Sequence, residues 1–387
     1  MGKAEGCPHN HQLRKAKRES EMNKSLARMF ELGIRAQFDT ELAPPIVIIG
    51  RSGIGKTAST NAIGSALKRP VFGFEMAGKR PEDITGYAYA DLEKGVMKFL
   101  PNEMVRSILN SKNSIVFFDE ICDLDRMMQR AMHGVLCGKQ FGDYTAPKGT
   151  AICGAGNPPE ISATGGSLAI TLVSRVCQLD AELDAMNWAD GNENGFPSAQ
   201  VGELPDNWTS LIPQKRAIVS EFIRKFPEHL DEDAQEAHLP APCPRQWVHV
   251  AVYNAVCEAA KEMSCRLPLI RGCVGEGAAL KYIAWEKEMD IPDWRDVLAG
   301  NYTIPPRGDQ IQTLAKSVCA AVVAEDNAKL YQGAWGFLSD LAKAGYEDFA
   351  ALAAPTLARR MPKGWSGNLP AEAATFAKIL KEAGIIK

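Results

Sequence analysis

Residues 46–60 read "IVIIGRSGIGKTAST". A run of β-branched residues, Ile46 to Ile49, follows Pro44 and Pro45 and ends in Gly50, as a buried parallel strand would. Gly50, Arg51, Ser52, Gly53, Ile54, Gly55, Lys56 and Thr57 then spell G-x-x-x-x-G-K-[ST]. Beyond Thr57, Ala58, Ala62, Ile63, Ala66 and Leu67 fall on one predicted helix face. Strand, glycine-rich loop and helix together aim backbone N–H groups and a helix N-terminus at a polyphosphate. Lys56 would reach the β- and γ-phosphates, and Thr57 would hold Mg²⁺. Arg51 and Ser52 are expected to contribute mainly backbone. ATP and Mg²⁺ are therefore the expected ligands.

The next strand ends in acids. "SIVFFDEICDLD" is apolar from Ser114 to Phe118 and closes on Asp119 and Glu120. Asp119 would join the Mg²⁺ shell, and Glu120 would polarise the attacking water. A third apolar run, "TAICGAGNPPE", brings Asn157 to the point where Pro158 and Pro159 stop further pairing. An amide there can orient the water beside Glu120.

With loop, acid pair and Asn157 in this order, the chain resembles a MoxR-type AAA+ ATPase of the branch with an insertion in the second core helix. "PEDITGYAYADLEKGVMKFLPNEMVRSIL", "GNPPE…GGSLAITLVSRVCQLD", "PAPCPRQWVHV" and "GCVGEGAALKYIAWEKEMDIPD" carry the match, which covers about residues 40 to 300. The resemblance implies that Arg175 is an arginine finger reaching a neighbouring subunit's γ-phosphate. It makes Arg245 the second sensor and Arg126 a weaker candidate for an intersubunit contact. It also implies a ring of copies of this chain, a hexamer by analogy, acting on a protein client. A partner with a von Willebrand factor A domain is a further implication. Where the family carries small or Pro residues early in the loop, this chain has Arg51 and Ser52.

The fold class expected is α/β: a P-loop AAA+ core with a central parallel sheet flanked by helices, then an all-α lid and a helical C-terminal extension. The expected division is a partly helical leader at 1–40, the core at 41–182 with a hairpin near 82–100, a helical lid at 183–300, and the extension at 301–387. In "GYAYADLEKG", Tyr87 and Tyr89 alternate with alanines on one strand face. They would either grip a polypeptide or pack within the hairpin, and the residues alone leave both open.

Composition bounds the rest. Of 387 residues, 45% are hydrophobic and 24% charged, as in globular proteins with large cores. A net charge of −3 disfavours a nucleic-acid motor ring, the main alternative. A nucleotide-gated scaffold without hydrolysis is the other, and intact Asp119, Glu120, Asn157 and Arg175 speak against it. No apolar run reaches the ~18 residues of a membrane span. The ten cysteines lack a C-x-x-C pair and fit reduced thiols in a cytoplasmic protein. Cys7, His9 and His11 make a poor metal site, and Arg14, Lys15, Lys17 and Arg18 read as a solvated segment.

Overall fold

The computed structural model describes residues 26–162, 166–182, 185–194, 201–365 and 368–386. The N-terminal groups named above, Cys7 to Arg18, lie outside these residues. The chain forms two compact units. One is built from the chain up to Leu204 together with Asp231–Glu276, the other from Pro205–Leu230 with Gly277–Lys387.

Among the described residues, nine strands lie in the first unit: β1 (Ile46–Gly50), β2 (Val71–Glu75), β3 (Tyr87–Asp91), β4 (Val96–Leu100), β5 (Ile115–Asp119), β6 (Gln140–Phe141), β7 (Tyr144–Thr145), β8 (Ala151–Gly156) and β9 (Cys177–Ala181). Five of them make one parallel sheet in the order β2-β5-β8-β1-β9. The near-continuous apolar runs of β1, β5 and β8 suit strands covered on both faces. Register brings their functional ends to one edge: Glu75 lies opposite Asp119, Phe118 opposite Gly154, and Ile49 opposite Gly156. Loops at the carboxyl edge of such a sheet are where ligands bind.

A core of Val47, Phe74, Phe118, Ile152, Met128, Met132 and Val135 packs the sheet against the helix Arg126–Gly138. Phe74 and Phe118 stack with centroids 5.2 Å apart. The helix spanning residues 26–39 is part of this unit, with Leu32, Ile34 and Ala36 fully buried. Its Gln37 side chain accepts from the Ile152 amide (2.9 Å) and donates to the Ile152 carbonyl (3.0 Å). Pairing between β1 and β8 starts only at Cys153, so Gln37 completes the ladder one residue earlier.

The helix after the phosphate loop, Lys56–Ala66, corrects one expectation. Its buried face is Thr60, Ile63 and Gly64, while Ala58 and Ala66 are exposed. Alanines are poor reporters of a buried face because they suit any helix position. Gly64 decides the face instead: a Cβ there would meet a Val71 methyl at 2.2 Å.

The second unit is helical. Its apolar core is led by Tyr331, Trp335 and Phe376, on helices that include Gly308–Glu325, Ala328–Leu341 and Glu347–Ala358. Buried Glu221 accepts from Lys316 (2.8 Å) and Gln312 (2.7 Å), which satisfies its charge inside that packing. No helix among the described residues is long and apolar enough to cross a membrane.

Candidate functional site

The phosphate-type loop leaves β1 at Gly50, where any Cβ would lie 2.6 Å from the Ala181 carbonyl of β9. Gly53 and Gly55 have φ of 82° and 87°, left-handed values that suit glycine, and Gly55 caps the helix Lys56–Ala66. Lys56 Nζ folds back into the loop, donating to the Gly50 carbonyl, to the Gly156 carbonyl (3.0 Å) and to Asn157 Oδ1 (3.1 Å). Thr57 Oγ1 donates to Asp119 Oδ2 at 2.5 Å. The structure thus gathers Lys56, Thr57, Asp119 and Asn157 at the ends of β1, β5 and β8. Burial lowers the Lys56 pKa, and the negative charges of Asp119 and Glu120 oppose that shift.

Glu120 is held in an unusual backbone state, with φ 58° and ψ 34°. Such a conformation costs about 1–3 kcal/mol for a non-glycine residue and persists only where its surroundings impose it. The turn Ile121–Asp123 that follows it packs on β8. Gly154 and Gly156 leave room for that turn: a Cβ on Gly156 would lie 2.2 Å from Cys122 Sγ. The Glu120 amide donates to Asp119 Oδ1 (3.1 Å), tying the two acids together. Cys122 is buried beside them, and burial pushes its thiol up to about 12, so it stays neutral at physiological pH.

Ser52, expected to contribute mainly backbone to the loop, adds a side-chain contact. Its hydroxyl donates to Asn157 Oδ1 at 3.2 Å, so its side chain, and not backbone alone, enters the site. Asn157 is 8% exposed.

Hydroxyl and carboxylate oxygens at Thr57 and Asp119 are the hard donors that Mg²⁺ takes, one or two from protein and the rest from phosphate and water. Among the described residues no group of three or more His, Cys, Asp or Glu could hold a metal without such help. The pair fits Mg²⁺.

The arginines gather elsewhere in the same unit. Arg175 follows the short helix Ile170–Val173 and donates to the Thr171 carbonyl and to Ser174 Oγ (3.2 Å). Its buried Nε finds no hydrogen-bond partner among the described residues. Arg245 is exposed in the first turn of the helix Pro244–Ala259. The neighbouring Gln246, fully buried, docks that helix by donating to the carbonyls of Val173 (3.1 Å) and Val176 (3.0 Å), which bracket Arg175. His133, on the helix Arg126–Gly138, has its pKa lowered by burial and then by the charges of Arg175 and Arg245. Three cationic or potentially cationic groups therefore share one neighbourhood, and His133 carries no motif that would announce it. Arg126 is exposed at the start of its helix and makes no part of this cluster's hydrogen bonding.

The hairpin forms as the sequence suggests, with Tyr87 paired to Leu100 and Tyr89 to Lys98. Tyr87 and Tyr89 are 54% and 44% exposed, alongside exposed Leu92, Met97 and Leu100. Asp91 and Lys98 form an ion pair at 2.6 Å across it.

A five-stranded parallel sheet in this order, flanked by helices and followed by a helical region, is the architecture of an AAA+-type α/β core. No family model and no curated protein matches the chain. Among solved structures it is similar to a candidate ATPase from Cytophaga hutchinsonii ATCC 33406, 13% identical, covering 74% of this chain and 99% of that one at a TM-score of 0.43. At that score the likeness says nothing of chemistry, which rests on the side chains above.

Proposed function

We propose that the protein is an ATPase of MoxR-like AAA+ type that hydrolyses ATP within a ring, by analogy a hexamer, to remodel or activate a protein client. The observation that carries the ATPase reading is the knot of Lys56, Thr57, Asp119 and Asn157 at one sheet edge, with Glu120 in its constrained conformation beside it. In this reading Gly50 to Thr57 cradle the phosphates and Lys56 turns from its loop carbonyls to them. Thr57 and Asp119 would hold Mg²⁺, which supplies positive charge against the phosphate oxygens. Glu120 accepts a proton from water as the water oxygen bonds to the γ-phosphorus. The bond from that phosphorus to the β–γ bridging oxygen breaks, and ADP leaves with the electron pair. Asn157 orients the water.

The ring reading is supported by the arginine cluster. Arg175 and Arg245 make no ion pair among the described residues, and burial followed by their charge lowers the pKa of His133 beside them. Such a cluster calls for an anion, and the γ-phosphoryl group of a neighbouring copy's ATP meets that need in trans. The shared neighbourhood supports Arg245, the second sensor of the resemblance, as a cation acting together with Arg175. Exposed Tyr87 and Tyr89 suit contact with a polypeptide client, with or without a von Willebrand factor A partner.

Calorimetric titration with ATP tests the foundation. Wild type should bind, and Lys56→Ala should weaken binding by about 100-fold, as loss of a charge-assisted phosphate contact in a desolvated site would. Equal affinity for both proteins would remove the reading.

A further inference from the structure

We propose that Ser52 is a positioning residue that fixes the amide of Asn157 for hydrolysis. The inference deepens the ATPase reading and rests on it. Asn157 Oδ1 accepts from both Lys56 Nζ (3.1 Å) and Ser52 Oγ (3.2 Å). An ammonium group can only donate, so the atom facing Lys56 is the amide oxygen, and both of its lone pairs are in use. The amide NH₂ is thereby turned away from the loop, free to donate elsewhere.

Lys56 cannot keep this post during turnover, because the same ammonium must go to the β- and γ-phosphates. Ser52 is then the side chain left holding the oxygen. Without its hydroxyl, the amide can rotate about its last side-chain torsion and offer the oxygen where the NH₂ is needed, since that torsion is broad and nearly two-fold. An acceptor there competes with Glu120 for the water's protons and places no donor on the reacting oxygens. The loop and the end of β8 thus act as one unit through a single hydroxyl. Asn157 is itself 8% exposed while Ser52 lies at the surface, so a water that replaces the hydroxyl reaches the amide oxygen only from the Ser52 side and without the fixed direction of a side chain.

Steady-state ATPase kinetics and ATP affinity, measured together on wild type, Ser52→Ala, Ser52→Thr, Asn157→Ala and the double Ser52→Ala/Asn157→Ala, test the assignment. Ser52→Ala should lower kcat about tenfold, the effect of one lost positioning contact, with KM within about twofold. Ser52→Thr should restore most of the rate, and the double variant should be no slower than Asn157→Ala alone. A purely structural role would not give that rescue with that non-additivity. Thermal melts check folding, and Ser52→Gly replaces the alanine variant if it unfolds. Wild-type kcat in Ser52→Ala, additive losses in the double variant, or a change in KM alone overturns the role of Ser52 while wild-type turnover still upholds the ATPase reading. A wild type that neither binds nor hydrolyses ATP overturns both.

Discussion

Around Lys56, charges of both signs lie together: the ammonium sits among loop carbonyls with Asp119 and Glu120 near it, and Thr57 is bonded to Asp119. Around Arg175 the arrangement is the reverse. Arg175 leans on a backbone carbonyl and a hydroxyl, Arg245 is exposed, and both raise the cost of protonating His133. The first cluster is balanced before any ligand arrives. The second carries uncompensated positive charge, which is stable only near water or an anion. The difference teaches how the proposed reading divides the work: one half of the chemistry would be built within the chain and the other half offered outward to a neighbouring copy.

The sharpest way to break that contrast is Arg175→Ala. ATP binding should stay nearly unchanged while turnover falls on the order of 10³-fold, the worth of an arginine acting on transition-state charge. Mixing this variant with Lys56→Ala should restore part of the activity, because each supplies what its neighbour lacks. Loss of ATP affinity in Arg175→Ala, or no recovery on mixing subunits shown to exchange, would place Arg175 at its own chain's nucleotide.

A smaller effect should come from Gln246→Leu. It takes the side-chain donor from the buried Val176 carbonyl and leaves the Val173 carbonyl only the longer bond from the Val176 amide (3.3 Å), a loss of about 1–3 kcal/mol in stability by denaturant unfolding. Turnover should fall with unchanged ATP affinity, since the loop cluster is untouched. A variant that melts like wild type and turns over normally would show that the two arginines need no common support.

The smallest effect is a pH slope. Burial and then the charge of Arg245 push His249 down to about 3, and its Nδ1 lies 2.8 Å from Gln246 Oε1. A histidine takes up its proton near pH 6.5 once unfolded. The unfolded chain therefore binds more protons between pH 6.5 and about 3, so stability is full above pH 6.5 and falls as pH drops through that window. The slope reaches at most about 1.4 kcal/mol per pH unit for one proton. His249→Gln should flatten this contribution in denaturation midpoints taken from pH 7 to pH 5, and an unchanged slope would mean that His249 is not buried neutral.

Legibility in the sequence followed the same division. Strand β1, the loop and the acids at the tip of β5 were readable because each needs particular residue types at fixed spacing: glycines for the turn, a cation, adjacent carboxylates. The hairpin turn was readable for the same reason. The bond from Ser52 to Asn157 was not, since a hydroxyl's partner 105 positions along the chain has no local signal. Gln246 and Gln37 were hidden likewise, being polar side chains whose value appears only when a distant backbone group comes to meet them. The face of the helix Lys56–Ala66 is not legible from its alanines, which suit any helix position, because a single glycine against Val71 decides it.

Gln37 has one more consequence. Its amide reaches past every edge of the sheet to grip Ile152 on the middle strand, so the helix at 26–39 is stitched to the centre and not laid over the rim. A segment fastened at the centre cannot fray alone: peeling it away uncovers a buried peptide group between β5 and β1 and weakens the strand that delivers Asn157. Amide exchange at Ile152 thus reports on the whole unit's cooperative opening. A piece of this chain cut just before the nucleotide loop would therefore lose the side chain that fastens its middle strand.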